Sequence, residues 1–339
     1  MVSSLLDNIL TRTDTLLERL FHQPENEQTV SFKSYLTDPR KILLIPGDNL
    51  ADLALSLDFF QPILHRFPMA ALFVLLSPEQ TCLIGNIRRV WPIACPHRST
   101  HTFDSVFRKT VSLLRAEEFD WAVNLTYSGR PEALLTYHSG AKIRAGLPFC
   151  GNDKYYNLIV KNIPEEENFS LRFGHLFKAL QVKEPFRTDP ALFRPAEKEL
   201  LHAENFFHHC RRAKENEKIV GCVIETLPGQ KSLDRSLLSM VESLAGELDL
   251  NHLFIADNLF RGEDRNEWNE IKDFLIHFDD LRQMLTALTY CDRVITNSVG
   301  TACLLARLGV QVGLMETDSK YLARLGSEDL ARIDVLTGR

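Results

Sequence analysis

The sequence has none of the features that mark a membrane-spanning protein or a secreted, disulfide-rich one. Its 339 residues contain no apolar run of roughly 18 residues, the length that crosses a bilayer. The N-terminal stretch MVSSLLDNILTRTDTLLERLFHQ lacks the basic segment and the cleavage pattern of a signal peptide. The 7 cysteines are odd in number and widely spaced, which is not the pattern of a disulfide framework. We therefore expect a cytoplasmic protein with reduced thiols.

Strong metal-binding patterns and short repeats are also lacking. The stretch CPHRSTH, from Cys95 to His101, contains one cysteine and two histidines, but its spacing matches no strong zinc motif. FFHHC, from Phe206 to Cys210, is more typical of a helix face than of a metal site. We expect no metal in this protein.

Charge is unevenly distributed along the chain. The net charge is −6, yet residues 81–161 contain 11 Lys and Arg against 6 Asp and Glu, a local balance of +5. The rest of the chain carries 28 basic and 39 acidic residues, or −11. A basic face on an acidic protein predicts an anionic partner, with chance clustering on a solvated surface as the open alternative. We expect no nucleic-acid partner.

Length and hydrophobic pattern predict two α/β domains. A chain of 339 residues suits two domains of about 150 residues each. From Lys41 onward, apolar strand-like runs such as KILLIPG, DWAVNLT and DRVITN alternate with segments of helical periodicity, which predicts parallel sheets covered by helices on both faces. We assign residues 1–40 to an N-terminal helical extension, 41–195 to a first Rossmann-like domain and 196–339 to a second. The amphipathic stretch from Ser3 to Phe21 either packs against its own protein or docks on a partner or membrane surface.

A turn after the first predicted strand carries carboxylates. In open α/β sheets, ligands bind beyond the carboxyl ends of strands, where backbone N–H groups and helix N-termini face anions. The turn PGDNLAD contains Asp48 and Asp52, and a carboxylate at this position can take a proton from an attacking hydroxyl. Helix capping is the alternative role for both residues.

Two turns in the predicted second domain suit a phosphate group. ETLPGQKSLD places Lys231 just before a helix, where its cation can meet a diphosphate. TNSVGTA brings hydroxyls and backbone N–H groups to a strand-to-helix junction, an arrangement that can bind an anion. A surface lysine and a simple helix N-cap are the alternatives. The residues of this junction are Thr296, Asn297, Ser298, Gly300 and Thr301.

Taken together, these segments resemble the ADP-heptose:lipopolysaccharide heptosyltransferases of glycosyltransferase family nine. KILLIPGDNLADLALSLDFF resembles the first strand and turn of that family. CDRVITNSVGTACLLARLGVQVGLMET resembles the family segment advvvtnDSGpmHlAaalgvpvvalfG. FDWAVNLTYSGRPEALLTYHSGAKIRAGL and ETLPGQKSLDRSLLSMVESLA follow two further family segments, so the resemblance extends from Lys41 to about Thr317.

The resemblance implies the GT-B fold, in which two Rossmann-like, doubly wound domains face a central cleft. It implies transfer of a heptose-like sugar from a nucleotide sugar, with ADP-heptose as the candidate donor, and it implies no metal or other cofactor. The implied acceptor is an anionic glycolipid or glycan of the lipopolysaccharide type, reached by peripheral contact with the inner membrane. Asp52 becomes the catalytic base, while Lys231 and residues 296–301 hold the donor diphosphate. The acceptor-side candidates are Asp48, Asn49, Arg130, Lys142 and Arg144.

The motifs depart from the family pattern at several positions. Ser298 stands where the family has an aspartate, and Cys303 where it has a histidine. Asp48 and Ala51 replace the two glycines of the first turn. Two main functions therefore stay open: an active glycosyltransferase, and a catalytically silent member of the family that binds a glycan or a partner protein. A third, another GT-B activity such as that of a sugar-phosphate epimerase, would need further acids at the cleft.

Overall fold

The computed structural model describes most of the chain from Phe32 onward. The described residues are 32–96, 104–126, 130–149, 151–164, 167–183, 185–186, 195–210, 219–223, 252–256, 275–276, 278, 280–315 and 330–336. The predicted helix from Ser3 to Phe21, Lys231 and both histidines of CPHRSTH lie outside these residues.

Strands and helices alternate along the described chain, as the sequence pattern predicts. The first half contains α1 (Phe32–Thr37), β1 (Lys41–Pro46), α2 (Leu50–Ser56), α3 (Phe60–Arg66), β2 (Ala71–Leu76), α4 (Thr81–Ile84), β3 (Val90–Ala94), α5 (Ser105–Ala116), β4 (Trp121–Leu125), α6 (Arg130–His138), β5 (Ile143–Gly146), β6 (Leu158–Ile159) and α7 (Phe169–Ala179). The second half contains α8 (Glu197–Cys210), β7 (Ile219–Val223), β8 (His252–Ala256), β9 (Leu275–Ile276), α9 (Leu281–Leu288), β10 (Arg293–Thr296), α10 (Val299–Arg307), β11 (Val312–Met315) and β12 (Ile333–Leu336). Short 3₁₀ turns occur at Leu57–Phe59, Pro78–Gln80 and Asn152–Tyr155.

The first sheet is parallel, with the strand order β3-β2-β1-β4-β5-β6. Alternate residues of β1 enter cores on opposite faces of this sheet, Ile42 and Leu44 on one and Leu43 and Ile45 on the other. A strand buried on both faces needs a continuous apolar run, which is why KILLI lacks the alternation of a half-exposed strand. The order reverses between β1 and β4, and a crevice opens there at the carboxyl ends of the strands.

The second sheet repeats this topology. Its order is β12-β11-β10-β7-β8-β9. If β7 is counted as the first strand and the order is read from β9, this is the strand order of the first sheet. The switch point lies between β10 and β7, where Thr296 pairs with Val223. The turn after β1 and the turn after β10 therefore border equivalent crevices in the two sheets, and the predicted α/β fold is confirmed.

One apolar cluster joins the two sheets. It includes Leu44 of β1 and Val294 of β10, and it passes through α2 and α10, which pack side by side. Because the two halves share this core, their sites are held next to each other. The division into residues 41–195 and 196–339 stays a prediction.

Helix α7 lies in a segment where the sequence pattern was mixed. Phe169, Phe173 and Phe177 recur at helical spacing, and all three pack on Phe59, with ring centroids 4.5 Å apart for the Phe59–Phe177 pair. Asn168 caps the helix by accepting a hydrogen bond from the N–H of Leu171. Edge strands β3, β6, β9 and β12 were also not predicted, since β3 and β12 are partly exposed and β6 and β9 contain two residues each. Among the described residues, no helix combines the length and apolarity that crossing a bilayer requires.

Candidate functional site

The turn after β1 positions Asp52 at the switch point of the first sheet. Asn49 is the N-cap of α2, and its side-chain oxygen accepts the backbone N–H of Asp52 at 2.7 Å. The amide nitrogen of Asn49 donates to Oδ2 of Asp52 at 2.9 Å. The capping role foreseen as an alternative is therefore real, but Asn49 performs it. The Asp52 carboxylate receives a hydrogen bond rather than serving as the cap.

Gly47 makes room for the carboxylate of Asp52. A Cβ atom on Gly47 would lie 1.7 Å from Oδ2 of Asp52 and 2.5 Å from its Cγ. Any larger residue would displace the carboxylate, since real Cβ atoms do not approach heavy atoms so closely. Gly47 and Asn49 thus hold the Asp52 carboxylate back over the turn, and only 7% of the residue is exposed.

The turn after β10 is organised by its own hydroxyl groups. Ser298 is the N-cap of α10, and its hydroxyl accepts the N–H of Thr301 at 3.2 Å. The hydroxyl of Thr296 accepts the N–H of Ser298 at 3.0 Å. These residues, with Asn297, are buried. An N-cap hydroxyl still has a proton to donate, so capping does not prevent Ser298 from contacting a ligand.

The two turns meet although they are far apart in the sequence. A Cβ atom on Gly300 would lie 2.6 Å from the backbone nitrogen of Ala51 and 2.7 Å from the carbonyl carbon of Leu50. Gly300 is in the first turn of α10 and Ala51 in the first turn of α2, so the two helices begin at the same place. Asp52 is the next residue along α2. The candidate base and the candidate anion-binding turn therefore lie at one junction.

A buried ion pair fixes the other end of the two helices. The guanidinium of Arg307, in the last turn of α10, lies 3.2 Å from Oδ1 of Asp58. The side chains of both residues are less than a tenth exposed. Arg307 also donates to the carbonyl of Ala54, and the hydroxyl of Ser170 donates to Asp58. Contacts at both ends show that α2 and α10 run in the same direction, so both N-termini point toward the junction.

A second polar contact joins the halves away from this helix pair. Arg282 of α9 is buried, and its Nε donates to Oε1 of Glu199 at 2.8 Å. Its Nη1 donates to the carbonyl of Leu83 in α4 at 3.3 Å. A guanidinium that spans α9, α8 and α4 restrains how far the halves can separate.

The acceptor-side candidates lie at opposite ends of the strands of the first sheet. Asp48 and Asn49 are exposed in the turn after β1, and Arg130 begins α6 after the carboxyl end of β4. Lys142 precedes β5 and Arg144 pairs with Ala122, so both belong to the amino-terminal side of the strands. The Arg144 guanidinium lies over the ring of Tyr137, 5.3 Å from its centroid. The structure therefore places Asp48, Asn49 and Arg130 at the carboxyl ends of the strands, as it does Asp52, but not Lys142 and Arg144.

Three buried polar residues at the same carboxyl edge were not singled out from the sequence. Asn124 of β4, Glu132 of α6 and Tyr156 are all less than a tenth exposed. The amide of Asn124 donates to the Tyr156 hydroxyl at 2.6 Å. Two of the three carried a signal in the sequence: Asn124 interrupts the apolar run WAVNL, and Glu132 lies within the otherwise apolar stretch PEALL.

Tyr156 keeps its proton in this environment. Burial raises the pKa of its hydroxyl above the ordinary value, the hydrogen bond from Asn124 lowers it, and the nearby charge of Glu132 raises it again. The net effect is a higher pKa, so Tyr156 is a neutral hydrogen-bond donor and acceptor throughout the physiological range.

Cys303 belongs to the apolar core. The residue is completely buried, together with Leu304 and Leu305 of α10. The position at which the resembled family has a histidine therefore carries a small apolar side chain in an apolar environment. Lys231, the other donor-side candidate of special interest, lies outside the described residues.

Comparison with solved structures identifies the fold. No family model matches the sequence, and no curated protein matches it. The glycosyl transferase family 9 protein from Veillonella parvula is similar with a TM-score of 0.66 and 13% identity, over 89% of this chain and 87% of that one. The ADP-heptose lipopolysaccharide heptosyltransferase II of E. coli gives a TM-score of 0.61 and 17% identity, over 87% of this chain and 90% of that one. The E. coli heptosyltransferase WaaC with ADP gives 0.61 and 14% identity, over 88% of this chain and 93% of its own.

These similarities establish the architecture. The chain has the GT-B fold, with two Rossmann-like sheets, and the resemblance to family nine is confirmed at the level of the fold. Identities this low carry no activity from one protein to another, because one fold supports many functions.

Proposed function

We propose that this protein is a glycosyltransferase that moves a sugar from a nucleotide-sugar donor to a glycan of the bacterial lipopolysaccharide type. One observation carries the proposal: the turn that bears Asp52 touches the first turn of α10 through Ala51 and Gly300. A general base beside an anion-binding helix end is what sugar transfer from a nucleoside diphosphate requires. The fold shared with heptosyltransferases, one of them solved with ADP, supports the same function and makes ADP-heptose the first donor to test.

In the proposed reaction, Asp52 accepts the proton of an acceptor hydroxyl while the oxygen of that hydroxyl bonds to the anomeric carbon of the donor sugar. The bond between that carbon and the diphosphate oxygen breaks, and the nucleoside diphosphate leaves with the bonding electrons. Backbone N–H groups at the start of α10 and the ammonium group of Lys231 stabilise the charge of the leaving group. The proposed step uses no metal ion.

The acceptor is proposed to bind along the carboxyl edge of the first sheet. Asp48 and Asn49 are exposed beside Asp52, and Arg130 brings a cation to the same edge. The excess of basic residues in 81–161 suits an anionic glycolipid at the cytoplasmic surface of the inner membrane. Lys142 and Arg144 do not belong to this proposed site, because they lie toward the opposite edge.

Thermal unfolding with a panel of ADP- and UDP-sugars tests the proposal. A ligand that binds only the folded protein at 100 times its Kd adds about 2.7 kcal/mol of stability, which is a measurable rise in Tm. We expect such a rise for at least one nucleotide sugar, and its loss in Lys231→Ala. Mass spectrometry of a reaction with lipopolysaccharide-core acceptors should detect the added sugar. If no member of the panel shifts Tm and no product forms, the proposal is wrong.

A catalytically silent glycan- or protein-binding role is the second candidate, and Cys303 is the observation that favours it. Its side chain is completely buried within the apolar cluster, where the resembled family has a histidine. Ser298 is the N-cap of α10, where a carboxylate stands in the resembled family. Saturable binding of a saccharide with no turnover of any nucleotide sugar would favour this second role.

A further inference from the structure

The buried residues Asn124, Glu132 and Tyr156, here called the Tyr156 cluster, border the switch point of the first sheet. Asn124 pairs with Ile45, two residues before Gly47, so the end of β4 is level with the turn that carries Asp52. Glu132 is in the first turn of α6, which begins at this same carboxyl edge. The crevice at a switch point is where open α/β sheets bind ligands.

The hydroxyl group of Tyr156 accepts one hydrogen bond but donates none to a described residue. Its hydroxyl oxygen accepts a hydrogen bond from Nδ2 of Asn124 at 2.6 Å. Oδ1 of the same Asn124 side chain accepts the backbone N–H of Thr126 at 3.0 Å. Within the described part of the chain, no group accepts the proton of the Tyr156 hydroxyl. A buried donor without an acceptor costs free energy, so a partner from outside the described chain is expected there.

The ring of Tyr156 is held in place by the glycine beneath it. A Cβ atom on Gly146, the last residue of β5, would lie 2.5 Å from Cζ of Tyr156 and 2.7 Å from its Cε2. The ring therefore lies directly over the strand backbone, and the Asn124 amide sets the direction of its hydroxyl. A donor fixed in this way loses little entropy when it binds a ligand.

A carboxylate and a phenol together match the chemistry of a sugar hydroxyl. Glu132 is buried, and its charge acts on Tyr156. A sugar hydroxyl both accepts and donates, so it can accept the proton of Tyr156 and donate its own to Glu132. We propose that the Tyr156 cluster binds one hydroxyl group of the saccharide acceptor and thereby selects which sugar is presented to Asp52. The inference rests on the proposed glycosyltransferase function, but its site can be tested without turnover.

The contact is tested by a double-mutant cycle in which one hydroxyl group is removed from the protein, from the ligand, or from both. Binding of methyl mannoside, of the corresponding methyl heptoside and of their monodeoxy analogues is measured by NMR titration on wild type and on Tyr156→Phe. In the wild type, one monodeoxy analogue should bind about tenfold more weakly than its parent, which is the expected value of one hydrogen bond in a fixed site. In Tyr156→Phe, that analogue and its parent should bind equally.

Matched controls separate this contact from a general loss of structure. Tyr155→Phe removes the same hydroxyl from the neighbouring residue and should retain the tenfold discrimination. Glu132→Gln should reduce it, because an amide offers the ligand a weaker acceptor than a carboxylate. Thermal unfolding checks that each variant is folded. If Tyr156→Phe keeps the full discrimination, or if no glycoside binds the wild type, the cluster holds only water and the inference is wrong.

The proposed function is tested by a separate measurement, the binding of nucleotide sugars. Nucleotide-sugar binding depends on the second half of the chain and should be unchanged in Tyr156→Phe. A positive glycoside cycle without any nucleotide-sugar binding would support the Tyr156 cluster and refute the glycosyltransferase proposal. Turnover in which Tyr156→Phe leaves KM and acceptor preference unchanged would refute the cluster alone.

Discussion

The two sheets share one strand order, yet the side chains at their switch points differ in kind. The acids Asp52 and Glu132 lie buried at the carboxyl ends of the strands of the first sheet, and Asp52 accepts a hydrogen bond from Asn49. The turn of the second sheet carries hydroxyls, with Ser298 as the cap of α10, and the thiol of Cys303 lies in the core behind it. The described residues at the first switch point therefore include carboxylates, whereas those in the turn after β10 offer backbone N–H groups and hydroxyls.

Two sheets with the same topology can thus carry different chemical groups at equivalent places. Burying an acid costs free energy unless it is hydrogen-bonded, so the first sheet needs Asn49 to meet the Asp52 carboxylate and Gly47 to make room for it. The second sheet needs only the capped N-terminus of α10, because the backbone N–H groups of a helix N-terminus suit an anion. The proposed reaction requires both kinds of group, and the contact between Ala51 and Gly300 brings them together.

The sharpest way to test the chemical role of the first half is Asp52→Asn. General-base catalysis contributes about a hundredfold to ten-thousandfold, so we expect kcat of a measured transfer to fall by that factor. Asp38→Asn makes the same chemical change in an exposed ion pair with Arg40, and the rate should not change. A variant at position 52 that is folded and still transfers sugar at the wild-type rate would contradict the assignment.

Breaking the buried ion pair should loosen the contact between the halves. In Arg307→Met, Asp58 remains buried without its cation, and removal of one partner of such a pair costs about 3–5 kcal/mol of unfolding free energy. The double variant Arg307→Met/Asp58→Asn no longer buries a lone charge and should recover a large part of the loss. Urea unfolding measures both values. Equal stability of the wild type and the single variant would mean that the pair does not hold the helices together.

A smaller effect is expected from filling the space at the junction. The added methyl group of Gly300→Ala meets the backbone of Leu50 and Ala51, which cannot move aside as a side chain can, so we expect a loss of about 1–3 kcal/mol. Gly85→Ala is the control, because its nearest contact is 3.5 Å away and its φ is ordinary for a helix. If both variants are equally stable in urea, the close approach of α10 to α2 is not required.

The smallest predicted effect concerns the dependence of stability on alkaline pH. Burial raises the pKa of Cys222, in β7, from 9.0 to about 12. Between these values, the thiol ionises in the unfolded chain but not in the folded one. The folded state then binds more protons, and stability must fall as pH rises. Between pH 9 and pH 10, we expect the unfolding free energy of wild type to fall more than that of Cys222→Ala, by up to about 1.4 kcal/mol. Parallel curves would contradict the burial of this thiol.

Local patterns predicted most of the central strands, because a strand buried on both faces must be apolar throughout. KILLIPG, DWAVNLT and DRVITN were all recognisable for this reason, and they became β1, β4 and β10. Edge strands such as β3 and β6 are half exposed or very short, and α7 depends on the packing of its phenylalanines against Phe59. Patterns that arise from contacts with distant residues cannot be read from a local window.

The sequence by itself determined the alternating α/β elements, the turns at the carboxyl ends of the strands, and the identity of Asp52 and Ser298 within them. Periodicity and turn chemistry are properties of neighbouring residues, so the chain order is enough to reveal them. Only the tertiary structure decided that Gly300 lies against Ala51, that Arg307 pairs with Asp58, and that Asn124 meets Tyr156. Each of these contacts joins residues that are remote in sequence, and packing alone determines which of them meet.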